Sequence, residues 1–111
     1  MDFPNDADGD ALRRVLKHGS DLSRPMEIDF TVDVPDQTAG QAIAEAAQKL
    51  GYKTAVARDD ESGEWTCYCT RTMIAGYEAL VEAQSDLNRL SQPFGGFCDG
   101  WGTFGNARNE V

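Results

Sequence analysis

The sequence predicts an α+β fold: a four-stranded antiparallel sheet with two helices on one face and an additional N-terminal helix. Three observations predict it. Met26 to Val34 alternates apolar and polar residues without a break, the pattern of a half-buried strand. Two stretches with helical apolar spacing, near 39–50 and 74–91, each separate strand-like runs. Two β-rich runs, Tyr52 to Arg58 and Trp65 to Thr72, flank the turn Asp59 to Gly63 and read as a hairpin.

A short helix comes first. Asp8 or Asp10 caps it, Leu12, Val15 and Leu16 form its apolar stripe, and Gly19 stops it. Asp6 to Asp10 is acidic but makes no calcium loop, because Ala11 occupies the glycine position and Lys17 the closing glutamate position. The strand Met26–Val34 follows and ends at Pro35. Asp36 or Thr38 caps the next helix, with Thr38 and Gln41 spaced as a capping box. Ala39, Ala42, Ile43, Ala46, Ala47 and Leu50 make its stripe, and its small alanines let it approach a sheet closely. After the hairpin, Tyr77, Leu80, Leu87 and Leu90 mark a long helix that Pro93 prevents from continuing. Phe94 to Phe104, with Gly95, Gly96, Gly100 and Gly102, is the last strand, and residues 105–111 read as a frayed polar end.

After the first helix, the order strand, helix, strand, strand, helix, strand is the split βαβ pattern called ferredoxin-like (βαββαβ). Right-handed crossovers put both helices on one face, with the strands in the spatial order fourth, first, third, second. Cys98 then lies two strands from Cys67 and Cys69, roughly 9.6 Å away, too far for an intrachain disulfide. Cys67 and Cys69 read as buried small hydrophobes, since a zinc or iron–sulfur site needs more ligands than these.

The chain has 111 residues, enough for one domain spanning 1–111 with its core at about 8–104. No apolar run approaches the length of a membrane span and no leader is visible, so the expected location is cytoplasmic, away from membranes. Nineteen acidic against ten basic side chains give a net charge of −9. That charge repels phosphate backbones, so no direct nucleic-acid partner is expected, and it attracts basic protein segments. A sheet-face RNA-binding module is disfavoured for the same reason and lacks its aromatic and basic signature. No catalysis is expected: His18 is alone, no serine or cysteine has an evident base, and no cofactor motif is present.

The uncovered sheet face is the candidate site. Its first strand presents Glu27, Asp29, Thr31 and Asp33, and its third presents Thr66, Tyr68 and Thr70. Simple alternation places Phe97, Asp99, Trp101 and Thr103 together, and Asp99 argues that this set faces outward. The candidate protein-binding residues are therefore Asp29, Asp33, Tyr68, Asp99, Gly100, Trp101 and Gly102. Aromatics ringed by carboxylates suit an arginine-rich or lysine-rich protein segment. Two alternatives stay open: a bulge at Gly100 turns Trp101 inward to plug the core edge, and the face serves as a homodimer interface.

The segments Asp8-Gly-Asp-Ala-Leu12, Gly19-Ser-Asp-Leu-Ser-Arg-Pro25, Leu50-Gly-Tyr52 and Gly95-Gly-Phe-Cys-Asp-Gly-Trp-Gly-Thr103 occur in this order. Together they resemble the regulator of ribonuclease E activity B family, most specifically through Asp99-Gly-Trp-Gly-Thr103. The resemblance implies a ferredoxin-like fold and a bacterial cytoplasmic protein. It also implies that the chain binds and restrains ribonuclease E, the endoribonuclease that initiates messenger RNA decay, without touching RNA.

Overall fold

The computed structural model describes residues 3–106. Among them are three α-helices, α1 (Ala7–Lys17), α2 (Gln37–Gln48) and α3 (Tyr77–Ser91), and a single 3-10 turn, Gln92–Phe94. The four strands are β1 (Pro25–Val34), β2 (Lys53–Arg58), β3 (Trp65–Ile74) and β4 (Phe97–Gly102). Every pairing is antiparallel, and the order across the sheet is β2-β3-β1-β4, the order expected from the sequence of elements.

β1 lies inside the sheet, between β3 and β4, and buries one face along its whole length. Met26, Ile28, Phe30, Val32 and Val34 are all buried, whereas the residues between them are exposed or half-exposed. The buried row meets Cys67 and Cys69 on β3, both with no exposed surface. α2 covers β1, β2 and β3, and α3 covers β1 and β4; the two helices touch, so they share one face. Leu12 carries α1 into the same core, and α1 packs on α3. Tyr52 precedes β2 instead of starting it. It is buried edge-on against Phe30, with ring centroids 5.9 Å apart, and the Arg71 guanidinium lies over its ring.

Several local expectations change. Asp6 caps α1: its carboxylate accepts from Gly9 N at 2.8 Å, leaving Asp8 and Asp10 inside the first turn. Asp36, and not Thr38, caps α2, accepting from Ala39 N at 2.8 Å. Gly40 sets the close approach of α2 more than its alanines do. A Cβ there would sit 2.8 Å from Val56 Cγ1 and 3.3 Å from Val34 Cγ2. Leu16 and Leu50 end their stripes in solvent. α3 begins at Tyr77, three residues beyond the expected start.

The last strand is shorter than expected because Phe94 closes a 3-10 turn and Gly95 reverses the chain at φ +78°. The Cys67 and Cys69 Sγ atoms lie 3.9 Å apart, and all three cysteines are free thiols. Val32 separates Cys98 from Cys67, pairing with one on each side. Asn106, expected in the frayed end, is held instead. Its Nδ2 donates to Asp21 O at 2.8 Å, and its Oδ1 accepts from Asp21 N at 2.8 Å. The remainder of that segment, 107–111, lies outside the described residues.

Candidate functional site

The sheet face opposite the helices can be read directly from the strand register. One row runs Phe97, Asp33, Thr66, Ala57; the next runs Gly100, Thr31, Tyr68, Ala55; a third runs Gly102, Asp29, Thr70, Lys53. Six candidate residues therefore gather on or beside this face: Asp29, Asp33, Tyr68, Gly100 and Gly102 in the rows, with Asp99 at the edge between the first two. Tyr68 and Phe97 are 40% and 51% exposed, large apolar surfaces for an uncovered sheet. Tyr68 stands between Thr31 and Ala55 in its row, with Gly100 beyond Thr31, so its ring rises above smaller neighbours.

The carboxylates on this face differ in environment. Asp29 is satisfied locally, since Thr70 Oγ1 donates to it at 2.5 Å. Asp33 has no such donor among the described residues. Partial burial pushes its carboxyl above the ordinary range, and the charges of Asp99 and Glu64 push it further. One end of the face thus holds a cluster of mutually repelling carboxylates at Asp33, Asp99 and Glu64. No group of three or more His, Cys, Asp or Glu residues among those described could hold a metal ion.

Trp101 is not on this face, contrary to the expectation from alternation. Thr31 pairs with Gly100, but Val32 pairs with Cys98, so Asp99 is an extra unpaired residue in β4. One inserted residue reverses the parity of all that follows. Phe97 before the bulge points to the open face; Trp101 after it lies opposite Phe30, packed against the core. Gly100 permits the bulge with φ +144°, a conformation L side chains rarely adopt.

The inward indole is tied down. Trp101 Nε1 donates to Asp8 Oδ1 at 2.8 Å, and Gln84 Nε2 donates to the same oxygen at 3.1 Å. Nearby, the Tyr77 hydroxyl donates to Asp6 Oδ2 while Gly9 N donates to Asp6 Oδ1. The Tyr77 bond, more than any other contact, holds the Asp6 carboxyl below its usual range. Asp6 and Asp8 thus fasten α1 to α3 and β4. Asp8 and Asn106 escaped the sequence reading as structural ties, because an acid in a first helical turn and an asparagine near a chain end both have ordinary local explanations.

Residues 5–103 match a family described as regulator of ribonuclease activity B, a span running from just before the α1 cap to just after β4. The chain belongs to the regulator of ribonuclease activity B family. No curated protein sequence matches it closely enough to narrow this further. The family is named for regulating a ribonuclease and not for a reaction of its own, which implies a protein partner. Within the regulator fold, Asp99-Gly-Trp-Gly-Thr103 forms the bulge and the clasp onto α1. No helix among the described residues is long and apolar enough to cross a membrane.

Proposed function

We propose that this chain restrains ribonuclease E in a bacterial cytoplasm by binding a basic segment of the enzyme on the open face of its sheet, without contacting RNA. The carrying observation is the concentration of Asp29, Asp33, Asp99 and Glu64 around exposed Tyr68 and Phe97. A guanidinium seated there offsets the partial burial and the neighbouring charges that raise Asp33, and stacks on an aromatic ring. Asp29, Asp33, Tyr68, Asp99, Gly100 and Gly102 form the contact set, and Trp101 supports it from beneath. The ferredoxin-like reading of the fold belongs with this proposal; it is supported by the strand order β4-β1-β3-β2 and by α2 and α3 sharing a face.

Calorimetric titration of purified ribonuclease E at low and moderate salt tests the proposal, alongside cleavage of a model RNA. Affinity is expected to fall as salt rises. The double substitution Asp33→Asn with Asp99→Asn is expected to weaken binding several-fold and release the restraint in parallel. Salt-independent binding that ignores this substitution, or direct binding of RNA by the chain, overturns it. Exposed Phe97 and Tyr68 also favour a second reading, a homodimer through the same face. Light scattering across a dilution series tests that reading: a dimer that dissociates on Tyr68→Arg supports it, and a monomer at all concentrations removes it.

A further inference from the structure

We propose that the cleft between α1 and the segment following β4 binds a small aromatic carboxylate. This does not rest on the ribonuclease reading and uses a different part of the surface. The cleft holds about 490 Å³ and is lined by Arg14, Val15 and His18 on one side and by Trp101 and Phe104 on the other. A volume of that size suits a single small ligand.

Its far wall is built before any ligand arrives. Thr103 Oγ1 donates to Glu27 O at 2.6 Å and accepts from Gly105 N at 2.9 Å. Asn106 N donates to Ser20 Oγ at 3.2 Å, and the Asn106 side chain is clamped on Asp21. Gly105, at φ +74°, lies so close to Ser20 that a Cβ would come 2.1 Å from its Oγ. This tethering holds Phe104 at the rim, where none of the described residues covers it. Trp101 spends its only polar atom on Asp8, so what it offers the cleft is apolar ring surface.

The charge of the cleft is opposite to that of the chain. Within a protein of net charge −9, the one charged side chain lining it is the Arg14 guanidinium, with the His18 imidazole beside it. Among the described residues neither is in an ion pair. The neighbouring acids are engaged elsewhere: Asp10 by Arg13, Asp21 by Ser23, and Asp8 by Trp101 and Gln84. His18 Nδ1 donates to Arg14 O at 2.9 Å, which fixes the ring at the rim. A ligand with a flat apolar body and one carboxylate matches both properties: the body lies on Trp101 and Val15 beneath Phe104, and the carboxylate meets the Arg14 guanidinium.

The full ¹⁵N-labelled chain, titrated with 2-naphthoate and separately with its neutral isostere 2-naphthamide, tests this. Naphthoate is expected to shift the Trp101 indole N–H and the amides of Val15, Ser20 and Gly105, and to saturate. Naphthamide, and naphthoate against Arg14→Gln, are expected to bind about two- to fivefold more weakly, the upper part of the range for an exposed charge pair. The Arg14 side chain makes no hydrogen bond among the described residues, so a spectrum unchanged away from the cleft verifies the fold of the variant. Equal affinity for the two probes, equal affinity of Arg14→Gln, shifts centred on Tyr68 and Thr66, or no saturation by about 10 mM each overturn the proposal.

Discussion

Whether the bulge at Asp99 turns Trp101 into the molecule can be tested through the bond from its indole to Asp8. Trp101→Phe keeps an aromatic ring against Phe30 and removes only the N–H donor and the second ring. A hydrogen bond to a charged acceptor contributes about 1.5–3 kcal/mol net. Because this one is only partly buried, the low end applies, about 1.5 kcal/mol. Asp8→Ala loses the same bond and also one of the two bonds of Gln84 Nε2, which keeps its bond to Leu80 O at 3.2 Å, so it should cost slightly more, about 2 kcal/mol. In the double variant the shared bond is counted once, and the coupling energy should be about 1 kcal/mol or more. Urea unfolding followed by far-ultraviolet dichroism measures each corner of the cycle. In thermal melts each kcal/mol should appear as roughly 4 °C for a domain of this size. A coupling within about 0.3 kcal/mol of zero would refute the clasp. Acrylamide quenching gives an independent readout in a Trp65→Phe background. Trp101 should be partly protected there, and deletion of Asp99 should raise its quenching by restoring plain alternation along β4.

Gly40→Val should destabilise by about 1–3 kcal/mol in urea titration, since its Cβ falls 2.8 Å from Val56 Cγ1; an unchanged midpoint would mean that α2 sits farther from the sheet. Asp33 has its carboxyl raised by burial and by Asp99 and Glu64, so its ionised form is disfavoured in the folded state. The penalty is full above the raised folded value and vanishes below the unfolded one. Asp33→Asn should therefore raise the melting temperature at pH 7, with the gain fading as pH falls through the carboxylate range; a gain that grows on acidification contradicts the assignment. Burial keeps the Cys98 thiol above its usual range, the hydrogen bond to the Cys67 sulfur and then burial push Cys69 up, and neither Cys67 nor Cys69 has exposed surface. Iodoacetamide on the native protein should thus react slowly and first at Cys98, with Cys67 and Cys69 labelled only on unfolding, as read by peptide mass mapping.

β1 was legible because one residue class sits on each face and nothing interrupts the alternation, so burial follows period two for the whole strand. The strand order followed from the order of elements and the handedness of crossovers, neither of which depends on a particular side chain. The α1 cap was less legible: Asp6, Asp8 and Asp10 are equivalent locally, and the choice is made by Tyr77 and Trp101, which come from α3 and β4. The facing of Trp101 turned on one unpaired residue. Gly100 pointed to irregularity, but a glycine in a strand is equally compatible with a bend, and only the pairing to β1 distinguishes the two. Asn106 was hidden for another reason: its partners lie in the Ser20–Pro25 loop, more than eighty residues away.

The position of the bulge also decides what the family motif can say about function. Asp99-Gly-Trp-Gly-Thr103 is the most specific part of the resemblance. Yet its tryptophan faces the core and bonds to α1, and its threonine holds the chain against Glu27. The motif therefore builds the joint between the sheet and the N-terminal helix. Only Asp99 and the two glycines reach the open face, and the glycines bring no side chain to it. Of the side chains in the proposed contact set, Asp99 alone belongs to the motif; Asp29, Asp33 and Tyr68 come from β1 and β3, outside it. Membership in the family thus speaks first for the architecture. Loss of regulation on replacing Trp101 would not separate a broken interface from a loosened fold, because the residue stands beneath the surface it supports. Substitution of Asp33 and Tyr68 does separate them: both are on the solvent side of the sheet, and neither donates to nor accepts from α1 or α3.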